Sequence, residues 1–356
     1  MRRVIACSAA VWLCCALATT AAAQTNPCVR SDGSALRDVP WQHKRPAHPL
    51  IGQAFKGGRP IVVVSDACSR TPLQQMIVEI WDTVRGGGIV LLGEVHDNPE
   101  HHAVRGDILW PRLDKMVPTK GLRPAAVFEH IRTGQQAQLD SFHRNAARSR
   151  RLWRAPDLLR ELDWKASGWP AAEMFYPLFD AALRAKLPIY PGNAVRERMR
   201  LLVRGQDQPN EEETTRLKLA QALPQPLLDE LASELAGSHC GALPPTAVPT
   251  MSLAQRYTDA HMAEALVKAA DKHGGAFLLA GNGHVRTDRG VPWYLRHLAP
   301  QRKVVAVMLL EVEEGTNEAS AYLTKTPGGT AEADYVMFTP RHERPDPCEK
   351  MRQGKP

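Results

Sequence analysis

Glu94 and His96 stand two residues apart, directly after the apolar run Ile89-Val90-Leu91-Leu92-Gly93. On an extended segment such a pair points to one side. A carboxylate beside an imidazole is equipped to bind a divalent metal or to work as acid and base. Asp97, Asn98, His101 and His102 follow at once. Asp97 and Asn98 read as the cap of a helix opening at Pro99, with His101 and His102 in its first turn. Those two histidines suit packing on a helix face as well as lining a site. A second pole comes much later: Phe277-Leu278-Leu279-Ala280-Gly281-Asn282-Gly283-His284 is again an apolar run followed by Gly-x-x-His. Arg286, just beyond, suits pairing with a carboxylate of ligand or protein. Glu129 ends a third apolar run, Ala125-Ala126-Val127-Phe128, and is followed by His130. With His96 and His284, Glu129 completes a two-histidine, one-carboxylate set suited to zinc, manganese or iron; a structural salt bridge is the other reading.

The elements that must position these groups are legible in outline. Short apolar runs bounded by glycine predict buried, parallel strands. In open α/β sheets ligands bind at the carboxyl ends of such strands, where both histidines would be delivered by matching turns. Thr71-Pro72 opens a helix with Leu73, Met76, Ile77, Ile80, Trp81 and Val84 on one face. Further helices are expected over Gln135–Arg148, Ala171–Lys186 and about Ser252–Lys272, and strands at Ile61–Val64, Ile189-Tyr190 and Val304–Leu310. This alternation predicts an α/β fold, a mostly parallel sheet with helices on both faces. Residues 204–250, acidic at Glu211-Glu212-Glu213 and then rich in leucine and proline, read as a helical insertion or cap. The expected organisation is a signal peptide over 1–23, an amino-terminal arm over 24–70, the α/β domain over 71–340 and a tail over 341–356.

Arg2 and Arg3 precede an apolar stretch from Val4 to Ala18, and Ala21-Ala22-Ala23 offers a small-residue cleavage site. The stretch is too short to span a membrane, so the mature chain is expected to be periplasmic or secreted. Of seven cysteines, Cys28, Cys68, Cys240 and Cys348 remain after cleavage. An even number in an oxidising compartment predicts two disulfides, and loop economy favours Cys28–Cys68 and Cys240–Cys348. The net charge of +7 is scattered apart from Arg144, Arg148, Arg150, Arg151 and Arg154. That run reads as a solvated helix face or an attractor for an anionic ligand. Without any recognisable motif for nucleic acid, none is expected as a partner. Neither a nucleophile elbow, a P-loop, a dinucleotide fingerprint nor His-Glu-x-x-His is present. Metal, haem or acid–base chemistry remains. Tyr257 and His261, four apart on one helix face, read as a satisfied surface sooner than as a haem ligand pair, and Tyr176 and Tyr190 as core.

Several segments, in this order, resemble the ChaN family over roughly residues 70–300. They are Gly93-Glu94-Val95-His96-Asp97-Asn98-Pro99-Glu100-His101-His102, Phe128-Glu129, Ser167-Gly168-Trp169-Pro170, His239-Cys240-Gly241, Asp259-Ala260-His261-Met262-Ala263 and Ala280-Gly281-Asn282-Gly283-His284-Val285-Arg286. The resemblance implies an α/β haem-binding protein linked to iron uptake that dimerises around haem. Its wider superfamily holds Tiki proteases and erythromycin esterases, which use glutamate and histidine at the corresponding strand ends. Family haem is ligated by tyrosine, and no tyrosine here falls inside a matched motif. Thr258 also stands where an arginine is expected. The function expected first is an exported haem- or iron-binding protein, with Glu94, His96, His101, His102 and His284 lining the pocket and Arg286 facing the propionates. The alternative is a metal-dependent protease or esterase, with His96, Glu129 and His284 holding a divalent ion and Glu94 activating water.

Overall fold

The computed structural model describes residues 48–61, 72–111, 123–149, 152–346 and 348–349. Among them one sheet is built from β1 (Ala54–Lys56), β2 (Arg59–Pro60), β3 (Ile89–Leu92), β4 (Ala125–Arg132), β5 (Ile189–Asn193), β6 (Ala276–Leu279), β7 (Val304–Glu311) and β8 (Tyr335–Thr339). The order across it is β2-β1-β8-β7-β3-β6-β4-β5. Neighbours from β8 to β5 run parallel, and only the two pairs made by β1 are antiparallel. The helices are α1 (Pro72–Arg85), α2 (Pro99–Leu109), α3 (Gln136–Arg148), α4 (Ala155–Glu161), α5 (Ala172–Arg184), α6 (Arg196–Val203), α7 (Glu211–Arg216), α8 (Gln225–Ser238), α9 (Val248–His273), α10 (Asn282–Val285) and α11 (Val291–Leu298). The fold is mixed α/β with a mostly parallel sheet.

Strand side chains alternate between faces, and here the alternation separates two cores. Val90, Leu92, Ala126, Phe128, Phe277 and Leu279 pack with apolar residues of α1, α2, α4 and α5. Ile89, Leu91, Ala125, Val127, Ala276 and Leu278 pack with those of α9 and α11. Helix α1 buries Leu73, Met76, Ile77, Ile80, Trp81 and Val84, the face its periodicity marks out. Helix α9 starts earlier than its apolar pattern suggests, because Pro249 is tolerated in a first turn. Within 204–250 the chain forms α7 and α8, and α8 packs on α9.

The central connections open the site. The chain leaves β3 through α2 for β4, passing β6; it leaves β6 through α10 and α11 for β7, passing β3. Neighbouring strands whose connections depart in opposite directions leave a crevice at their carboxyl ends.

Two sequence expectations need correction. The run at Ala125 does not stop at Phe128: β4 continues to Arg132, pairing with Asn193 beyond an irregularity in its register with β5. Glu129 and His130 are therefore strand residues on opposite faces. The two Gly-x-x-His segments are adjacent, yet their turns do not match. Leu92 pairs with Leu279, whereas the sequence repeat aligns Leu92 with Ala280. A slip of one residue sends equivalent side chains to opposite faces. The Cys240–Cys348 disulfide is formed. The Cys28–Cys68 pairing, Val62–Val64, the signal peptide and most of the arm lie outside the described residues.

Candidate functional site

Glu94 ends the β3 run with its carboxylate fully buried. Its Oε1 accepts hydrogen bonds from His96 Nδ1 and from His130 Nε2, each 2.7 Å long. Its Oε2 is paired with the Arg105 guanidinium of α2. Arg105 Nη2 also donates to His102 Nδ1 over 2.8 Å, and His102 Nε2 donates to the His96 carbonyl over 3.0 Å. One carboxylate thus gathers groups from β3, β4 and α2. Burial depresses the His102 pKa to about 4 and pushes His130 well below its usual value. Burial also lowers Arg105, to about 9, so it carries its charge at neutral pH. The result is one ion pair, Glu94 with Arg105, set among neutral imidazoles, and such a pair tolerates burial only when its remaining lone pairs and protons are met.

His96 differs from its neighbours in being open, with 39% of its side chain exposed. The hydrogen bond to Glu94 fixes Nδ1 as the protonated nitrogen, leaving a lone pair on Nε2 that meets no hydrogen-bond partner among the described residues. A carboxylate behind an imidazole orients the ring and raises its basicity as a ligand. The Trp169 indole lies 4.9 Å from the His96 ring and 4.8 Å from that of His130. Trp169 is held there because its Nε1 donates to the His130 carbonyl over 3.1 Å. Phe175 and Trp164 close the buried side around His130. Among the described residues, the three donors lying within 4.8 Å of one another are Glu94, His96 and His130.

His284 lies in α10 on the other face. Its Nδ1 donates to Asp259 of α9 over 2.6 Å, and its Nε2 faces Glu129 Oε1 at 3.4 Å. Burial opposes protonation of His284, but Glu129 and Asp259 outweigh it and raise the pKa well above the usual value. Burial pushes the Asp259 carboxyl up to about 6. Burial acts the same way on Glu129, yet His284 and then His96 hold that carboxylate well below its ordinary range. Glu129 Oε2 accepts from the Gly281 N–H over 2.8 Å. Gly281 is the seam between the two groups: a Cβ there would lie 3.0 Å from the His96 ring and 3.8 Å from Glu129 Oε2. Gly93 is the other close approach, since a Cβ on it would meet Val285 at 2.8 Å and the Val307 carbonyl at 3.0 Å.

The remaining sequence candidates are placed elsewhere. His101 is buried between helix and sheet; the Val95 N–H donates to its Nδ1 over 2.8 Å and its Nε2 donates to Thr339 over 2.7 Å. His102 joins the Glu94 group from beneath, packed on Phe175 at 3.9 Å, and does not reach the open side. Asn98 caps α2 through the Glu100 N–H, while its amide donates to Glu311 and Pro340. Arg286 is committed to three carboxylates, those of Asp288, Glu230 and Glu332. Tyr257 donates to Glu213, His261 to the Gly192 carbonyl, and Tyr190 is bonded to His273. Of the basic run, Arg144 and Arg148 are exposed on α3 and Arg154 pairs with Asp180.

A sequence model described as "Haem-binding uptake, Tiki superfamily, ChaN" matches residues 80–295, the stretch that carries both groups. The chain belongs to the ChaN haem-binding family. Among solved structures it is similar to ChaN of Campylobacter jejuni, reported with cofacial haem binding, at 19% identity and a TM-score of 0.57, covering 80% of this chain and 95% of that one. It is less similar to the type III effector HopBA1, at 12% identity and a TM-score of 0.38, covering 76% and 94%. No curated protein matches the chain. Among the residues gathered in these two groups, the sequence candidates omit four: His130, Arg105, Trp169 and Asp259. His130 had a signal. Once β4 is read through to Arg132, alternation puts it on the face of Phe128, opposite Glu129. Asp259 and Trp169 stand in segments that resemble the family. For Arg105 the only signal is its spacing, three residues after His102 on one helix.

Proposed function

We propose that this chain is an exported haem-binding protein in which His96 is the side chain presented to the iron. The observation that carries this reading is His96 itself: half-open, oriented by Glu94 through Nδ1, and keeping Nε2 without a partner. The donor chemistry fits haem. An imidazole nitrogen would serve as a ligand to haem iron, and the Trp169 indole beside it offers a flat apolar surface. Haem, when bound, supplies the redox and ligand-exchange chemistry of its iron. The chain's own residues do the rest: Glu94 fixes the tautomer, Arg105 pairs with Glu94 from behind, and His130 and Trp169 hold the ring from the side. Export is supported by the apolar leader before Ala21-Ala22-Ala23 and by the Cys240–Cys348 disulfide, of a kind that persists in oxidising compartments. A second copy meeting the first across the open His96 side is the assembly proposed.

A divalent metal is the second reading, favoured by the convergence of Glu94, His96 and His130. Such an ion would have to replace two hydrogen bonds to Glu94 and sit beside the Arg105 charge, so haem is preferred. Titrating the purified mature protein with haem distinguishes them. Saturation at a defined haem-to-chain ratio, with a Soret shift and a doubled mass on light scattering, is the expected result. A flat titration with zinc or manganese retained through purification would overturn the haem reading in favour of the metal.

A further inference from the structure

Arg286, the arginine that the sequence offers to an anionic ligand, is surrounded by carboxylates. Two other arginines near His96 are not. Arg132 is the last residue of β4, two positions after His130, and it is half-buried. Among the described residues its guanidinium makes one hydrogen bond, from Nη1 to the Ala194 carbonyl at 3.3 Å. Arg196 opens α6, two residues beyond Ala194, and is exposed. Its Nη2 donates to the carbonyls of Ala166, at 3.0 Å, and of Ser167. Among the described residues neither guanidinium faces a carboxylate at ion-pair distance, and each keeps one terminal nitrogen without a partner.

The backbone bonds aim both at one place. Arg196 is tied to the turn that carries Gly168 and Trp169, and a Cβ on Gly168 would lie 3.8 Å from its Nη2. Trp169 in turn packs on His96. Between the arginines stands Val195, one of the few large apolar side chains left exposed, which also lies against Gly134 just after β4. Burial and then the nearby Arg196 charge lower the Arg132 pKa, while the Glu129 carboxylate acts the other way. Two neighbouring guanidiniums bonded to carbonyl oxygens keep donors for an anion, and arginine's fork matches a carboxylate in two bonds.

We infer that Arg132 and Arg196 form a carboxylate-recognition subsite beside His96, which takes the anionic edge of a flat apolar ligand whose body lies against Val195 and Trp169. This rests on the haem reading, and haem's two propionates are the groups it would receive. It assigns to Arg132 and Arg196 the role that sequence gave to Arg286.

The test compares haem with its dimethyl ester, which keeps iron and macrocycle but lacks both carboxylates. The parent, Arg132→Gln, Arg196→Gln, the double variant and Arg196→Lys are titrated by Soret absorbance at two salt concentrations. The parent should prefer haem by about tenfold or more, each single variant should lose part of that preference, and the double variant should bind both porphyrins alike. Arg196→Lys, which keeps the charge but not the fork, should recover part of it. Added salt should weaken haem binding to the parent and leave ester binding unchanged. Arg196 is exposed, so its variants keep the test open if Arg132→Gln fails to fold. A parent that binds both porphyrins equally, or a double variant that still prefers haem, would overturn the subsite while leaving the haem reading intact. A parent that binds neither would overturn the haem reading and the subsite with it.

Discussion

The two Gly-x-x-His segments end on opposite faces of one sheet, and their histidines meet opposite surroundings. On the α2 side, one carboxylate, Glu94, accepts from two imidazoles and pairs with an arginine, and burial holds the His102 and His130 imidazoles there below their usual pKa. On the α9 side, one imidazole, His284, lies between the carboxylates of Glu129 and Asp259 and is held protonated. The ratio of acids to imidazoles is inverted. A histidine with a free lone pair can bind a metal centre; a protonated one, with both nitrogens facing carboxylates, cannot. On the proposed reading His96 is the ligand, and His284 is a buried counter-charge that holds the Glu129 carboxylate below its ordinary range.

Lowering the pH should break the comparison most strongly, because the two sides titrate with opposite sign. Burial holds His101 near 3, His102 near 4 and His130 well below its usual value. Below about pH 6.5 the unfolded chain binds protons that these three refuse in the fold, so stability falls as pH falls, by about 1.4 kcal/mol per pH unit for each. His284, raised in the fold, contributes stability that is present below about pH 6.5 and lost as pH rises through its folded value. Asp259, raised to about 6, offsets one histidine below that pH. Denaturant unfolding should lose about 5 kcal/mol between pH 6.5 and 5. A flat profile over that interval would mean the imidazoles are not held neutral.

Removing the shared acid comes next. Glu94→Ala strands the Arg105 charge and leaves His96 and His130 without their acceptor, and should cost about 3–5 kcal/mol in urea unfolding. A loss under 1 kcal/mol would show that the carboxylate does not organise the group. Gly281→Ala tests the seam. The added methyl presses on the His96 ring and should cost about 1–3 kcal/mol, with haem affinity falling in parallel; unchanged affinity would separate Gly281 from the site. His96→Ala should be the mildest for folding, within about 1 kcal/mol of the parent, since the ring is partly exposed and Glu94 keeps His130 and Arg105.

Much of this arrangement was visible in the residues, and what was hidden has a physical reason. Strand runs at Ile89 and Phe277, the Asn98-Pro99 cap and the apolar face of α1 are local patterns, and they stand in the structure within a residue of where local rules put them. The register between β3 and β6 is not local. It is set by packing across the sheet, so the repeat that draws attention to both histidines also suggests a false equivalence between them. The length of β4 was hidden for a related reason. Polar residues at Glu129 and His130 look like the end of a buried strand, but each has a partner delivered from distant chain, His284 for Glu129 and Glu94 for His130. Arg286 misleads in the same way, because Glu230 and Glu332 reach it from segments that sequence cannot place beside it.

The central claim is that His96, and not His284, meets the haem iron, and parallel haem titrations of the parent, His96→Ala and His284→Gln test it most directly. The account predicts that His96→Ala unfolds like the parent yet loses the Soret shift or weakens binding by about a hundredfold, while His284→Gln, when folded, retains the parent spectrum. A folded His96→Ala that binds haem with the parent's affinity and spectrum would contradict it.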